Sequence, residues 1–428
     1  SAQFPFHFWL PEAMAAATPV SAFLHAAAVV KAGVYLLIRF STIFHDVAAW
    51  NWLLIVAGMG TAVMSAVFAV QKTDLKKLTA YSTVSHLGWI VATIGVGTPF
   101  AIAAALVHTL AHALFKSSIF MLIGVIDHEA GSRDIRRLGV LWNKMPWTFG
   151  SMLIGAASMA AVPPLFGFVS KEGMLTAFED APIGSAGQIV LLIVAGIGAF
   201  FTFTYSAKIV FGAFFDGPRD MSSTHEAPVR LWLPAALPGV MSVPVVFFMG
   251  VLDGPLDDVV AAVGMEAHTH LALWHGLNVP FVISVLVLIA GVVGVLFRKP
   301  LWTGMEEREF LPRTGNDVLK WIQDVCTKFG RFVGRMSDTH NTTLFILPIV
   351  FLIILLTGAT LVSDGIDGVA LNPRVEGLDN PWDLLPLGIV ALSMFGLVRT
   401  KNRLTGAVMI GTAGTGVTLQ MFLLGAPD

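Results

Sequence analysis

His108, His112 and Lys116 recur at four-residue spacing in the otherwise apolar stretch HTLAHALFK. At 3.6 residues per turn they share one face of a helix. Imidazole changes charge near neutral pH, and an ammonium taken out of water gives up its proton more readily. Bridged by water, such a column passes protons in single steps. The same residues also suit plain helix packing, in which they hydrogen-bond neighbouring helices. Zinc fits the His pair by spacing, but no carboxylate or Cys lies on that face, so metal binding is left unassigned.

Other titratable residues sit inside apolar runs, where each is costly unless paired or hydrated and is a functional candidate by default. His25 and Lys31 fall in one run, six residues apart and therefore on different faces. His25 lies beyond the helix-breaking Pro19; Lys31 reads either as a conduit member or as half of a structural pair with a carboxylate elsewhere. Lys171 and Glu172 follow PPLFGFVS, adjacent and about 100° apart on a helix. Lys76 and Lys77 open LTAYSTVSHLGW, where the plain reading is topogenic charge. His86 in that segment is either a packed histidine or a relay member. Lys208, in TFTYSAKIVFGAFF, is either functional or snorkels to the interface. The segment Asp127–Asp134, DHEAGSRD, reads as a loop, either an entry to the conduit or a structural turn, with the turn favoured. His268, His270 and Glu266 lie in a loop and receive no role. Glu172 is almost the only acid well inside an apolar run, so lysine partners are expected from elsewhere.

The chain that must position these groups has 428 residues, 55% hydrophobic and 13% charged, against roughly a quarter charged in soluble domains. Mean hydropathy is +0.76. This excludes a cytosolic globular enzyme and a disordered protein. Lys+Arg is 26 and Asp+Glu 28, a net charge of −2; there is no basic excess to attract nucleic acid. One cysteine, Cys326, excludes a disulfide framework, a CxxC zinc site and a cysteine-ligated iron–sulfur cluster within the chain. No nucleotide loop and no redox cofactor site is visible, so no cofactor is assigned.

A bilayer core takes about 20 apolar residues of helix. Candidate spans are Thr18–Phe40, Ala48–Val70, Lys77–Gly97, Phe100–Ile126, Trp147–Val162, Pro164–Phe178, Ala186–Phe215, Leu231–Gly250, Gly276–Phe297, Thr342–Val362, Asp383–Val398 and Leu404–Leu424. None alternates as a barrel strand does. The expected fold class is all-α: a polytopic membrane helix bundle with discontinuous helices at Pro19 and at Pro163–Pro164. Lys72, Lys76 and Lys77 in one link, and Arg133, Arg136, Arg137 and Lys144 in another, place both links in the cytoplasm. Between Asn316 and Ser337 the residues Val318, Ile322, Val325, Phe329, Phe332 and Met336 recur at helical spacing. Lys320, Asp324, Lys328, Arg331 and Arg335 fill the other side. That amphipathic helix suits the membrane interface, a partner protein or a solvated linker. The expected division is 1–215 for the conduit helices, truncated at the N-terminus, 216–300 for further spans and a loop, 301–341 for the amphipathic helix and 342–428 for C-terminal spans.

Four blocks carry a family resemblance: SAQFPFHFWLPEAMAAATPVSAFLHAA, TDLKKLTAYSTVSHLGW, ALVHTLAHALFKSSIFMLIGVIDHEAGSRD and VPPLFGFVSKEGML. Together they resemble the antiporter-like proton-pumping subunits of respiratory complex I and their relatives. DHEAGSRDIRRLG and the C-terminal part ending in GAPD are more similar to the A subunits of Mrp-type multisubunit Na⁺/H⁺ antiporters. The resemblance implies a chain of protonatable residues along the membrane midplane. On it, His25 matches the relay histidine after the first broken helix, and Lys76 the lysine linking two half-channels. His108, His112 and Lys116 match the central column, and Lys171, with Glu172 beside it, the terminal lysine on the second broken helix. Lys31, His86 and Lys208 remain secondary candidates. Family members usually carry a lysine just before SAQ, paired with a glutamate on an earlier helix. Both fall outside these residues, so the chain reads as a segment of a longer polypeptide that does not transport alone.

The implied function is proton translocation within a secondary cation/proton antiporter, exchanging H⁺ for Na⁺ and driven by the proton gradient. The implied partners are other subunits of a hetero-oligomeric complex in a bacterial plasma membrane. The alternative is a redox-coupled relative with the same conduit, belonging to complex I or to a membrane-bound hydrogenase. A membrane scaffold whose polar groups only pack helices is the third reading.

Overall fold

The computed structural model describes residues 2–15, 18–26, 29–218, 220–266, 269–273, 276–306, 308, 315–337, 351–355, 384–400 and 403–423. Every regular element among them is helical, as expected of a chain whose backbone must satisfy itself in lipid. The helices are α1 Trp9–Glu12, α2 Thr18–Ala26, α3 Val29–Phe44, α4 Ala48–Gln71, α5 Leu75–Val96, α6 Pro99–Ala130, α7 Pro146–Met159, α8 Phe166–Glu179 and α9 Ser185–Phe214. They continue with α10 Val229–Val240, α11 Pro244–Phe247, α12 Asp253–Ala262, α13 Val279–Leu296, α14 Arg298–Glu306, α15 Gly315–Ser337, α16 Leu384–Arg399 and α17 Arg403–Leu423. Among the described residues, six helical stretches are by themselves long and apolar enough to cross a membrane.

The molecule forms two compact units, Ser1–Asp324 and Val325–Asp428. In the first, α5 is the central rod. Every residue of it except Lys77 and Tyr81 is buried. Its closest neighbour is α4, and glycines set the separation. A Cβ on Gly88 would lie 2.5 Å from Gly58 O and 2.6 Å from Ala62 N; one on Gly58 would lie 2.5 Å from Ala92 N. Backbones this close admit no larger residue, the small-residue contact by which helices associate in lipid.

α6 packs against α2, α5, α7, α8 and α10. It runs through Asp127, His128, Glu129 and Ala130, and stops at Gly131, whose φ of 67° is left-handed. The expected loop Asp127–Asp134 is therefore corrected: its first half is the last turn of a 32-residue helix. Its second half is the expected structural turn. Leu75 N donates to Arg133 O, Ile135 N donates to Thr73 O, and Asp74 and Asp134 form an isolated bridge. The two basic links thus meet at one end of the bundle, called here the basic end.

The interruption at Pro163–Pro164 separates α7 and α8, each 14 residues long and too short to cross alone. Gly167 lets the two halves touch: a Cβ there would lie 1.7 Å from Ser158 O. The span expected at Leu231–Gly250 is present as Val229–Phe247, interrupted by one turn. α10 ends at Val240 and α11 begins at Pro244. The Pro244 ring would clash with the carbonyl four residues back, which is Val240.

α15 matches the amphipathic pattern, with Val318, Ile322, Val325, Phe329 and Phe332 all exposed. In the second unit α16 packs on α17, and a Cβ on Gly416 would lie 2.8 Å from Val390 Cγ2. Most of the span expected at Thr342–Val362, and His268, lie outside the described residues.

Candidate functional site

His108, His112 and Lys116 line one face of α6, and all three are buried. That face meets a polar stripe on α5: Thr79, Ser82, His86 and Trp89, spaced three, four and three residues apart. Lys116 Nζ donates to Thr79 O at 3.3 Å and to Ser82 Oγ. Thr79 Oγ1 in turn donates to Leu75 O at 2.7 Å. The column therefore continues from Lys116 along α5 to its first turn.

The other direction runs through two imidazoles and a serine. Ser170 Oγ donates its one proton to Gly167 O at 3.0 Å. Its oxygen is then the acceptor for His108 Nδ1–H, also at 3.0 Å. With its proton on Nδ1, neutral His108 has a lone pair on Nε2, and this accepts from His86 Nδ1–H at 3.0 Å. His86 Nε2 is left as a bare, buried acceptor. The tautomers follow from the hydrogen-bond pattern.

The three imidazoles are held by Phe115. Its ring centroid lies 5.1 Å from His86, 5.5 Å from His112 and 6.3 Å from His108. His86 and His112 are 5.5 Å apart. Both ring nitrogens of His112 and of His25 lack a hydrogen-bond partner among the described residues. Buried polar atoms require partners, and bridging waters are those that such groups take. His25, on α2, is fully buried against Phe120 at 4.7 Å, and Lys116 and Lys76 are the charges that act on it.

α8 brings Lys171 and Glu172 into the interior, each 4% exposed. Lys171 Nζ stands 4.9 Å above the Trp89 ring, a cation–π contact, and has no hydrogen-bond partner among the described residues. Lys31 Nζ donates to Thr109 O at 2.8 Å, beside His108, so its partner is a carbonyl on α6. Its charge acts on both His108 and His112.

At the basic end, Asp74 caps α5 by accepting from Lys76 N at 2.8 Å and Lys77 N at 3.0 Å. Arg133 Nε donates to Asp74 Oδ2 at 2.8 Å. Lys76 is buried behind this cap. Nearby, the Arg136 guanidinium hydrogen-bonds Asp134 and holds its carboxyl below the ordinary carboxylate range, against an opposing effect of burial.

Lys208 does not snorkel. Its side chain is 0% exposed, donates to Val70 O at 2.6 Å and pairs with Glu306 on α14. Glu306 is an acid the sequence reading missed, 98 residues away. Ser170 and Ser82 were missed as well, although Ser82 and His86 stand four residues apart on one helix face. His270 is exposed, 3.9 Å from Asp253. Among the described residues, no group of three or more His, Cys, Asp or Glu could hold a metal ion.

Fold and site together define a polytopic helical membrane protein with a column of titratable side chains through its interior. Residues 1–202 match the family described as NADH:quinone oxidoreductase/Mrp antiporter, transmembrane. Residues 388–428 match a second family, described as the D subunit of MBH. The whole chain aligns with a probable K(+)/H(+) antiporter A/B subunit of Rhizobium meliloti at 37% identity, covering 44% of that protein. It aligns with the Na(+)/H(+) antiporter A subunit of Bacillus subtilis at 34%, covering 56%. The chain thus spans about half the length of the curated relatives it matches. Among solved structures, one of the Mrp complex from Dietzia sp. DQ12-45-1b is similar over the whole chain and 46% of its own, at 41% identity and a TM-score of 0.74. A membrane-bound sulfane sulfur reductase, an archaeal respiratory membrane complex, is similar over 61% of the chain and 52% of its own, at 26% identity and a TM-score of 0.52.

Proposed function

We propose that the chain is the proton-translocating part of the A-type polypeptide of a multisubunit Na⁺/H⁺ antiporter in a bacterial plasma membrane. It acts as one component of a transporter, working only with its partner subunits. One observation carries the reading: the buried, polarised succession His86, His108 and Ser170 beside Lys116 and Lys171. Among the described residues, no carboxylate is hydrogen-bonded to the three imidazoles or to Lys116. Packing alone is poorly served by so many desolvated titratable groups.

A proton enters the series at His86 Nε2. His86 Nδ1–H passes to His108 Nε2, and His108 Nδ1–H passes to Ser170 Oγ as the serine releases its own proton through water to neutral Lys171. His25, His112 and Lys76 extend the column through water, and Glu172 supplies the acid beside Lys171. Lys31 and Lys208 flank the column. Na⁺ is the proposed cargo from the similarity to Na(+)/H(+) antiporter subunits.

The redox-coupled reading has one observation in its favour, the match of residues 388–428 to the MBH family. The test is cation-dependent ΔpH dissipation in everted vesicles containing the full-length protein and its native partners. Wild type is compared with Lys116→Ala at matched assembly. Loss of exchange in the assembled variant is expected. Normal exchange would return the column to helix packing. No response of wild type to Na⁺ or K⁺ would favour redox coupling.

A further inference from the structure

The polar column described so far reaches the basic end along α5. A second polar face reaches the same end along α9. Tyr205 is wholly buried, and its ring stands edge-on to His86 with centroids 6.4 Å apart. Its hydroxyl lies beside Thr202 and Ser85 without closing a hydrogen bond of normal geometry. Both neighbours donate elsewhere, Thr202 to Gly198 O and Ser85 to Ala62 O, so their oxygens are open as acceptors. His86 Nε2 is likewise a buried acceptor with no partner among the described residues. Two polar atoms with spare capacity in one buried neighbourhood are what a bridging water requires.

Lys208 lies three residues after Tyr205, on the same face of α9. Its ammonium is fully buried, yet it holds the Glu306 carboxylate, whose side chain is 28% exposed. Gln71 Nε2 donates to Met305 O and Arg308 O, which fixes the end of α14 against the end of α4. Lys208 is thus joined on one side to a group in contact with water, and on the other stands one turn from Tyr205.

We infer that Tyr205, Lys208 and Glu306 form a proton entry branch that connects the basic end to His86 Nε2, in series with the column and separate from the Lys116–Ser82–Thr79 stripe. This rests on the proton-conduit reading of the column. Glu306 takes a proton from water and gives it to neutral Lys208. The ammonium returns it through water to the Tyr205 hydroxyl, which passes one of its own to His86 Nε2. The path is reversible, and no group changes oxidation state. A purely structural pair would need neither the tyrosine hydroxyl nor a partly wetted acid.

The test uses the full-length protein with its native partners in everted vesicles, at matched assembly. Tyr205→Phe keeps the ring and removes only the hydroxyl. Glu306→Gln keeps the shape and removes the titration; Glu306→Asp restores it. Tyr205→Phe and Glu306→Gln are expected to slow cation-dependent proton exchange on the order of tenfold or more, with Glu306→Asp recovering most of the rate. Lys116→Ala is measured beside them. If it abolishes exchange while Tyr205→Phe and Glu306→Gln run at the wild-type rate, the main column stands and the branch is overturned. If Lys116→Ala also runs at the wild-type rate, the conduit reading falls and the branch with it.

Discussion

His86 Nδ1 donates to His108 Nε2 across 3.0 Å, and neither ring is in contact with solvent. This bond joins α5 to α6 at the centre of the bundle. It also turns two separate helical stripes into one hydrogen-bonded series.

His86 is the acceptor at the head of that series. His86→Leu is therefore expected to lower exchange per assembled complex by about a hundredfold, the scale of one positioned proton-transfer group. Stopped-flow acridine orange fluorescence on vesicles reads the rate. An unchanged rate would make His86 a packing residue.

Ser170 fixes the tautomer of His108. Ser170→Ala leaves His108 Nδ1–H without its acceptor, at a cost of about 1–3 kcal/mol for a buried unsatisfied donor. Both the melting temperature of the purified complex and the exchange rate should fall. A fall in stability alone would confine Ser170 to a structural role.

Gly88 and Gly58 set how closely α4 and α5 approach. Gly88→Ala puts a methyl 2.5 Å from Gly58 O, on backbone that cannot swing away. Overpacking of this kind costs about 1–3 kcal/mol. The variant complex should melt earlier, and should exchange more slowly because His86 lies on the displaced helix. A melting curve identical to wild type would contradict the packing described.

Asp134 gives a pH signature outside the membrane. Its carboxyl lies lower in the folded state than in the unfolded chain, because Arg136 hydrogen-bonds it. The pair therefore contributes fully above about pH 4, the unfolded carboxylate value. The contribution disappears as acid titrates the carboxyl through its depressed range. The stability gap between wild type and Arg136→Ala should be level from neutral pH down to about pH 4 and then shrink. A gap that widens on acidification would reverse the assignment.

Local periodicity made much of the fold legible. The amphipathic pattern placed a helix at Asn316–Ser337, and α15 spans Gly315–Ser337. The column on α6 was legible for the same reason, since three residues on one helix fix their own alignment. Pairings between helices were not legible. Nothing in the local pattern joins His86 to His108, or Lys208 to a glutamate 98 residues on. Hydroxyls were the other blind spot: Ser170 and Ser82 look like ordinary small helix residues until a histidine and a lysine are brought to them. The break after Val240 was missed because Pro234 and Pro238 lie within α10 and only Pro244 begins a new helix.

Phe115, wedged among three imidazoles, gives the series a memory. On the proton-conduit reading, a proton that has crossed leaves His86 and His108 each with its hydrogen on the opposite nitrogen. The next proton meets a donor where the last met an acceptor. Resetting requires each ring to turn over or the hydrogens to hop back, and the rings are clamped by an aromatic neighbour 5.1 Å from one and 6.3 Å from the other. On the proton-conduit reading, both rings therefore have to be reset before the same hydrogen bonds can carry a second proton in the same direction.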